Sequence, residues 1–509
     1  MEMDKGKNNQ LKAGVMLTYV QTILNSVISI AYTPIMLRLL GQSEYGVYTM
    51  SSSMIAYLGL LNFGLNSSYV RYYTRYRNEG DQKGLARFNG MFLVVYSVIA
   101  LVALAAGMGL SANINLLYGA TLTAQELETA RILMMILTVN LAMTFISNVF
   151  TSYVTANEQF VFQKLINMGK TIVSPLATIP VLLLGFRSVG MTVTTTLLCL
   201  VVDVSNVVFC LRKLNMKFAI KDADFGVMKE VAAYSSLIAI NSLVDQINWQ
   251  VDKVILGHFH GAVGTAVYGV AAQINTLYIG LSAAVSSVFI PRIHKLSYRS
   301  CNNEYNRLFL KIGRIQMLIL GLVGSGFVLF GQPFLHFWAG EGYESAYAIT
   351  LLLILPVTVP QIQSIGIEIQ RAKNMHHFRS MMYLVMALFN IALSIPLGRR
   401  FGGVGCAAGT AVSLIVANGF VMNWFYSSRL QLRIGAFWKQ ILSLMPSVLL
   451  TFTLGAVLVW YVDISSLLML VVCIAAYCVV YGVSVWNLSM NTEEKSLIIG
   501  ISKKVLRKR

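Results

Sequence analysis

The sequence predicts an all-α polytopic membrane protein, and three observations carry that prediction. Only 12% of the 509 residues are charged and 56% are hydrophobic, where soluble domains carry about 25% charged residues. The mean hydropathy is +0.66. Apolar runs of about 20 residues, the length that crosses a bilayer core as a helix, recur along almost the whole chain. The runs are continuous, not alternating, which excludes a β-barrel.

Fourteen spans are expected, near 14–40, 44–68, 89–111, 128–154, 160–184, 189–211, 230–257, 264–290, 308–330, 346–370, 381–398, 403–426, 440–461 and 465–487. The polar N-terminus leads into a run too long for a signal-peptide core, so the first span is expected to be retained. The net charge of +18 does not call for nucleic acid, because most basic residues sit in short loops where membrane topology accounts for them. With the N-terminus in the cytoplasm, 31 of the 39 basic residues fall on the inner side and three (Arg187, Arg399 and Arg400) on the outer side. Arg38, Arg131, Lys170, Lys253 and Arg314 fall in or at the edge of spans. This asymmetry predicts a multi-pass membrane protein with an even number of spans and both termini in the cytoplasm. No loop is long enough to fold as a domain. The cysteines show no metal-site or disulfide spacing and read as small buried hydrophobes.

Two pairs of segments match within the chain. Residues 38–61 align with 258–281 at an offset of 220, pairing Gly41 with Gly261, Tyr48 with Tyr268 and Leu61 with Leu281. FRSVG (186–190) aligns with FGGVG (401–405) at an offset of 215. Both are in register with the span count, which points to a six-plus-six duplication followed by two extra helices. The expected organisation is an N-terminal lobe (1–213), a C-terminal lobe (214–428) and a final helix pair with a basic tail (429–509). Six is even, so the lobes should be related by a pseudo-two-fold axis along the membrane normal, a transporter architecture.

Polar residues inside the spans are the candidate site. Asn241, Asp245, Asn248 and Asp252 stand at i, i+4, i+7 and i+11, one stripe about 16 Å long on a helix. A carboxylate at mid-membrane costs about 2.5–3.5 kcal/mol, so such residues face a wet cavity or find partners. Asn25 and Tyr32 occupy the matching positions to Asp245 and Asp252, so the acids belong to the second half alone. A stripe of four suits a cavity wall; the competing reading pairs Asp245 with a neighbouring helix, for instance through Lys170. In the tenth span Gln361, Ser364 and Glu368 follow Pro356 and Pro360, where a bent helix lines a cavity or simply kinks while Glu368 snorkels. Lys170 is too deep to snorkel easily and is the best single cation for an anionic head group. Arg314 and Arg131 read either as further cations or as interfacial anchors. His258 and His260 lie two apart and make no zinc site. No nucleophile–base set and no ATP-binding segment is present, so no enzyme and no cofactor is expected.

The segments LRLLGQSEYGVYTMSSSMIAYLGLLNFGL (37–65) and VDKVILGHFHGAVGTAVYGVAAQI (251–274) resemble the multidrug/oligosaccharidyl-lipid/polysaccharide exporter superfamily, and within it the polysaccharide transport branch. The resemblance covers the whole chain in architecture. It implies a flippase of the bacterial cytoplasmic membrane for undecaprenyl-diphosphate-linked oligosaccharide, working by alternating access, with the last two spans extending a groove for the lipid tail. Lys170, Arg314 and Arg38 would attract the diphosphate, and the Asn, Asp and Gln stripes would bind sugar hydroxyls. Coupling to H⁺ or Na⁺, other polysaccharide-assembly proteins as partners, and function as a monomer accompany this reading. Cation-coupled drug efflux on the same fold is the alternative, and a membrane polysaccharide polymerase a more distant one, since the large outer catalytic loop it needs is missing.

Overall fold

The computed structural model describes residues 2–220, 226–290, 302–373 and 375–496, with Ile293, Leu296 and Ile499; for 2–15, Leu237 and His376 it describes backbone alone. Lys221, Arg292, Lys295, Arg299, Cys301 and the basic residues from Lys503 onward, all used in the sequence reading, lie outside the described residues. What is described is helical, with no strand. The helices are α1 (Glu2–Leu40), α2 (Gln42–Leu58), α3 (Leu65–Glu79), α4 (Gln82–Ala112), α5 (Ile114–Tyr118), α6 (Ala124–Ala156), α7 (Phe160–Leu183), α8 (Arg187–Val208) and α9 (Gly226–Ser287). They continue with α10 (Asn302–Ala339), α11 (Ala346–Ile362), α12 (Ser364–Ala372), α13 (His376–Leu414), α14 (Met422–Ser428), α15 (Ile434–Leu442), α16 (Met445–Tyr461) and α17 (Leu467–Leu488). Ten helical segments are long and apolar enough to cross a membrane, or eleven with the bent pair α11–α12 taken as one. This is a multi-pass membrane protein.

Where the helices break is written in the internal repeat. Gly41, between α1 and α2, has φ 78° and ψ 166°; its match Gly261 has φ 66° and ψ −156° and interrupts α9. That region of backbone space is essentially closed to residues with a Cβ. At the second match, Gly402 (φ 61°, ψ −141°) interrupts α13, and its counterpart Arg187 opens α8 at φ 49°. The junctions also pack in matched pairs. Glu44, just after Gly41, accepts hydrogen bonds from Ser188 N (2.9 Å) and Ser188 Oγ (2.7 Å). His260, just before Gly261, donates from Nε2 to Gly398 O at 2.7 Å, beside Gly402. Different residues thus secure equivalent corners.

The described chain forms two compact units. The first runs to Gly269 and takes in Ser394–Cys406; the second holds Val270–Leu393 and everything from Ala407. In the first, α1 packs on α7, α7 on α8, and α6 on both α4 and α8. Helix α6 starts in a capping box, Thr123 and Glu126 each satisfying the other's backbone. Aromatics on α3 and α4 weld one end: Tyr69 lies 5.3 Å from Phe88 and 5.0 Å, edge-on, from Phe92. The segment before Gly269 belongs to this unit because small residues let backbones touch. A Cβ on Gly46 would overlap the Ala262 carbonyl, Ser68 and Ser235 hydroxyls meet at 2.6 Å, and Thr121 Oγ1 donates to Gly257 O at 2.9 Å.

In the second unit, α10 packs on α11, α15, α16 and α17. Arg314 on α10 is buried and each of its five N–H donors is used: two on the Glu494 carboxylate (2.7 and 3.0 Å), the others on Gln440 O, Ser443 Oγ and Ser489 O. The sequence offered it as a diphosphate-binding cation; instead it ties the last helices to α10, with no donor left over. One and two turns nearer the N-terminus, Lys311 and Arg307 hold Glu493 at 2.9 and 2.7 Å.

Those two cations keep the Glu493 carboxyl below the 4.5 of an ordinary glutamate. A depressed carboxylate stabilises the folded state above its ordinary pKa and loses that contribution as pH falls through the lowered value. Glu493→Gln should therefore lower the melting temperature slightly at pH 7 and not at all once the pH is below the lowered value. A difference that persists in strong acid would show that the charge is not responsible. The group is exposed, so the effect is small.

Candidate functional site

The polar groups that converge lie on α1, α6, α7 and α8. On α7, Gln163, Asn167, Lys170 and Ser174 follow the spacing i, i+4, i+7, i+11 and so form one stripe. Two cavities flank it. One, of about 220 Å³, is lined from α6 by Thr144, Ser147, Asn148 and Thr151, from α7 by Gln163, Asn167 and Lys170, and from α8 by Cys199, Val202, Asp203 and Asn206. The other, of about 510 Å³, lies between α7 and α1 and is lined by Gln21, Asn25, Ile28, Ser29, Tyr32, Asn167, Lys170, Thr171, Ser174 and Pro175. Asn167 and Lys170 belong to both walls.

Lys170 is half-buried. Its Nζ donates to Cys199 Sγ at 3.0 Å, a weak acceptor, and the Asp203 carboxylate is close enough to feel its charge. Ser147 lies near that carboxylate, yet Ser147 Oγ, Asp203 Oδ2 and Asn206 Oδ1 are buried without a hydrogen bond of good geometry inside the protein. Orphaned buried oxygens in a polar, roomy space signal a wet or ligand-bearing site. Across the larger cavity, Thr171 donates to Asn25 Oδ1 and Thr178 to Tyr32 Oη, both at 2.9 Å, fixing α7 against α1.

The stripe predicted on the ninth helix meets a graded environment. Asn241 and Asp245 are exposed, Asn248 is half-buried and Asp252 is buried, 2% exposed. Asp252 Oδ2 accepts from Tyr268 Oη at 2.5 Å. At the repeat offset of 220 the four ladder positions correspond to Gln21, Asn25, Ile28 and Tyr32, and all four line the larger cavity.

The tenth-span residues separate. Helices α11 and α12 bend by 43° at Gln363, one turn beyond Pro360; beside the bend Ser282 Oγ donates to the Gln361 carbonyl at 3.1 Å, and the Gln363 side chain is held by Nε2 donating to Asn423 Oδ1 at 2.7 Å. Ser364 joins a buried knot with Ser286 (2.7 Å) and Gln316 (2.8 Å). Glu368 pairs with Arg371 at 2.7 Å, the local pairing that suits a side chain at an interface. Arg38 is exposed in the last turn of α1 and lies outside both cavities. Of the ten residues singled out, Lys170 alone lines these cavities. Asp203 stands out in the sequence as an embedded charge and Asn25 as the repeat match of Asp245, but their convergence with Asn167 and Asn206 does not; the spacing on α7 is the available signal.

Cavities lined by polar side chains between membrane-crossing helices, with a repeat that matches its breaks, define a transporter-class membrane protein. The chain belongs to the polysaccharide biosynthesis protein family, whose profile matches residues 35–348. It is 20% identical over 410 residues to a putative O-antigen transporter of Shigella flexneri, covering 79% of this chain and 94% of that one. It is 27% identical over 173 residues to the probable flippase AglR of Haloferax volcanii, 33% of this chain and 36% of that protein. In fold it resembles the lipid II flippase MurJ in its inward closed conformation (TM-score 0.75, 17% identity, 92% of this chain and 98% of that one). An inward-facing multidrug resistance MATE family transporter of the MOP superfamily gives 0.60 at 15% identity, over 81% and 99%. The curated relatives are named as transporters and flippases, not enzymes.

Proposed function

We propose that this protein translocates undecaprenyl-diphosphate-linked oligosaccharide repeat units across the cytoplasmic membrane, by alternating access of two six-helix lobes. One observation carries the reading: Lys170, a cation at mid-span whose one hydrogen bond goes to a thiol, stands between two cavities lined by polar side chains. An ammonium kept there at the insertion cost of a charge is placed for an anion. Counting the breaks at Gly261 and Gly402 and the interrupted helix 42–79, the chain crosses fourteen times with both termini inside. The lobes are 1–213 and 214–428, and 429–509 adds the last pair. The Asn241–Asp252 stripe then occupies in the second lobe the face that lines the larger cavity in the first. H⁺ or Na⁺ coupling fits the acids of either lobe, and drug efflux shares the fold. Deleting the gene separates the two: loss of a surface glycan supports this function, while raised drug sensitivity with an intact glycan overturns it.

Alternating access needs a surface that closes. Thr49 and Gly269, matched at the repeat offset, approach each other directly, as related positions do on a two-fold axis, and Gly46 lies against Ala262 one turn away. Gly46→Ala would push these backbones apart. Overpacking costs about 1–3 kcal/mol, which against the closed state is about a 5–150-fold shift in population. Impermeant maleimide labelling of a Thr121→Cys variant should rise accordingly when Gly46→Ala is added. Unchanged labelling would mean this contact is not a gate.

A further inference from the structure

We infer that the 220 Å³ cavity between α6, α7 and α8 is a subsite for a single neutral sugar ring, with Asp203, Asn206 and Ser147 as its specificity-determining residues. The inference rests on the exporter reading and divides its site in two: an anionic group in the larger α1–α7 cavity, one sugar residue in the smaller, and Lys170 touching both.

The wall chemistry selects the ligand. Three hydroxyls, four carboxamides, one carboxylate and one ammonium line the cavity, with Cys199 and Val202 completing the wall. Carboxylate and ammonium cancel, so neither a cation nor an anion is favoured by net charge. What remains is a surface that both donates and accepts, which matches the hydroxyls of a polyol. Asp203 Oδ2 and Asn206 Oδ1 are buried without a hydrogen bond of good geometry inside the protein, as is the Ser147 hydroxyl that lies beside the Asp203 carboxylate, and Ser147 and Asn206 are 4% and 3% exposed. At about 220 Å³ the cavity has room for a sugar ring.

Cys199 is a built-in reporter, because it lines the cavity and touches Lys170. Alkylation of Cys199 by N-ethylmaleimide is followed in the purified full-length protein by peptide mass spectrometry, without and with N-acetylglucosamine, galactose, sodium chloride or choline chloride. One or both sugars should slow alkylation, about tenfold at ten times the dissociation constant, since the unoccupied fraction falls as 1/(1 + [L]/Kd). The protection should be lost in Asp203→Asn and in Asn206→Ala; Ser147→Ala, the mildest change, serves if those variants accumulate poorly. Protection by sodium over choline with none by sugar makes the cavity a cation site and overturns the inference, as does the absence of protection by either. Neither result touches the exporter reading, which fails separately if Lys170→Gln leaves polysaccharide export intact.

Discussion

Lys170→Gln should abolish or nearly abolish surface polysaccharide while leaving the protein at normal abundance in the membrane. A hydrogen bond to a charged group contributes about 1.5–3 kcal/mol, so removing the one embedded cation of both cavities should slow export about 10–150-fold. The second half of the expectation is as informative. Lys170 has Cys199 Sγ as its hydrogen-bond partner, so its loss breaks no hydrogen bond to a strong acceptor, and removing a charge that costs up to about 2.5–3.5 kcal/mol at mid-span offsets the loss of its attraction to the nearby Asp203 carboxylate. A residue held for structure would do the opposite, failing in abundance first. Quantitative blotting of the protein beside glycan staining reads both. Normal glycan at normal abundance would remove Lys170 from the site.

Arg314→Ala should behave in the contrary way. Its guanidinium and the Glu494 carboxylate are buried, with side chains 8% and 4% exposed. Removing one member of such a pair strands the other and costs about 3–5 kcal/mol, enough to deplete the protein and lower its melting temperature in detergent. Replacing both, Arg314→Met with Glu494→Leu, should recover part of the loss, because no charge is then left buried and unpaired, although Gln440 O, Ser489 O and Asn491 N lose their partners. Export should return with it, since all five donors of Arg314 are consumed inside the protein. A stable double variant without export would place Arg314 in the transport site after all.

The helices and their breaks were legible because hydropathy and glycine are local signals. Gly41 and Gly261 could be matched by eye, and both hold a backbone that only glycine adopts readily. The ladder was legible as a face but not as a place. Its matched positions on α1, from Gln21 to Tyr32, line a cavity whose other wall is α7, and no spacing in α1 announces that partner. Asp203 and Asn206 come from α8, Ser147 from α6; each is an ordinary polar residue alone, and their meeting is a property of packing. Arg314 was misread for the same reason. Its anion, Glu494, is 180 residues away, and a basic residue near the end of a span looks the same in sequence whether it waits for a ligand or is already paired.

The central claim is that saccharide-bearing lipid crosses through this bundle past Lys170. It is tested most directly in proteoliposomes loaded with undecaprenyl-diphosphate-linked oligosaccharide, following the fraction of glycan that an external glycosidase can reach over time. The wild-type chain should speed the appearance of inner-leaflet glycan on the outside, and Lys170→Gln should fall to the rate of empty liposomes. Equal rates for wild type and protein-free liposomes, under H⁺ and Na⁺ gradients of either direction, would contradict it.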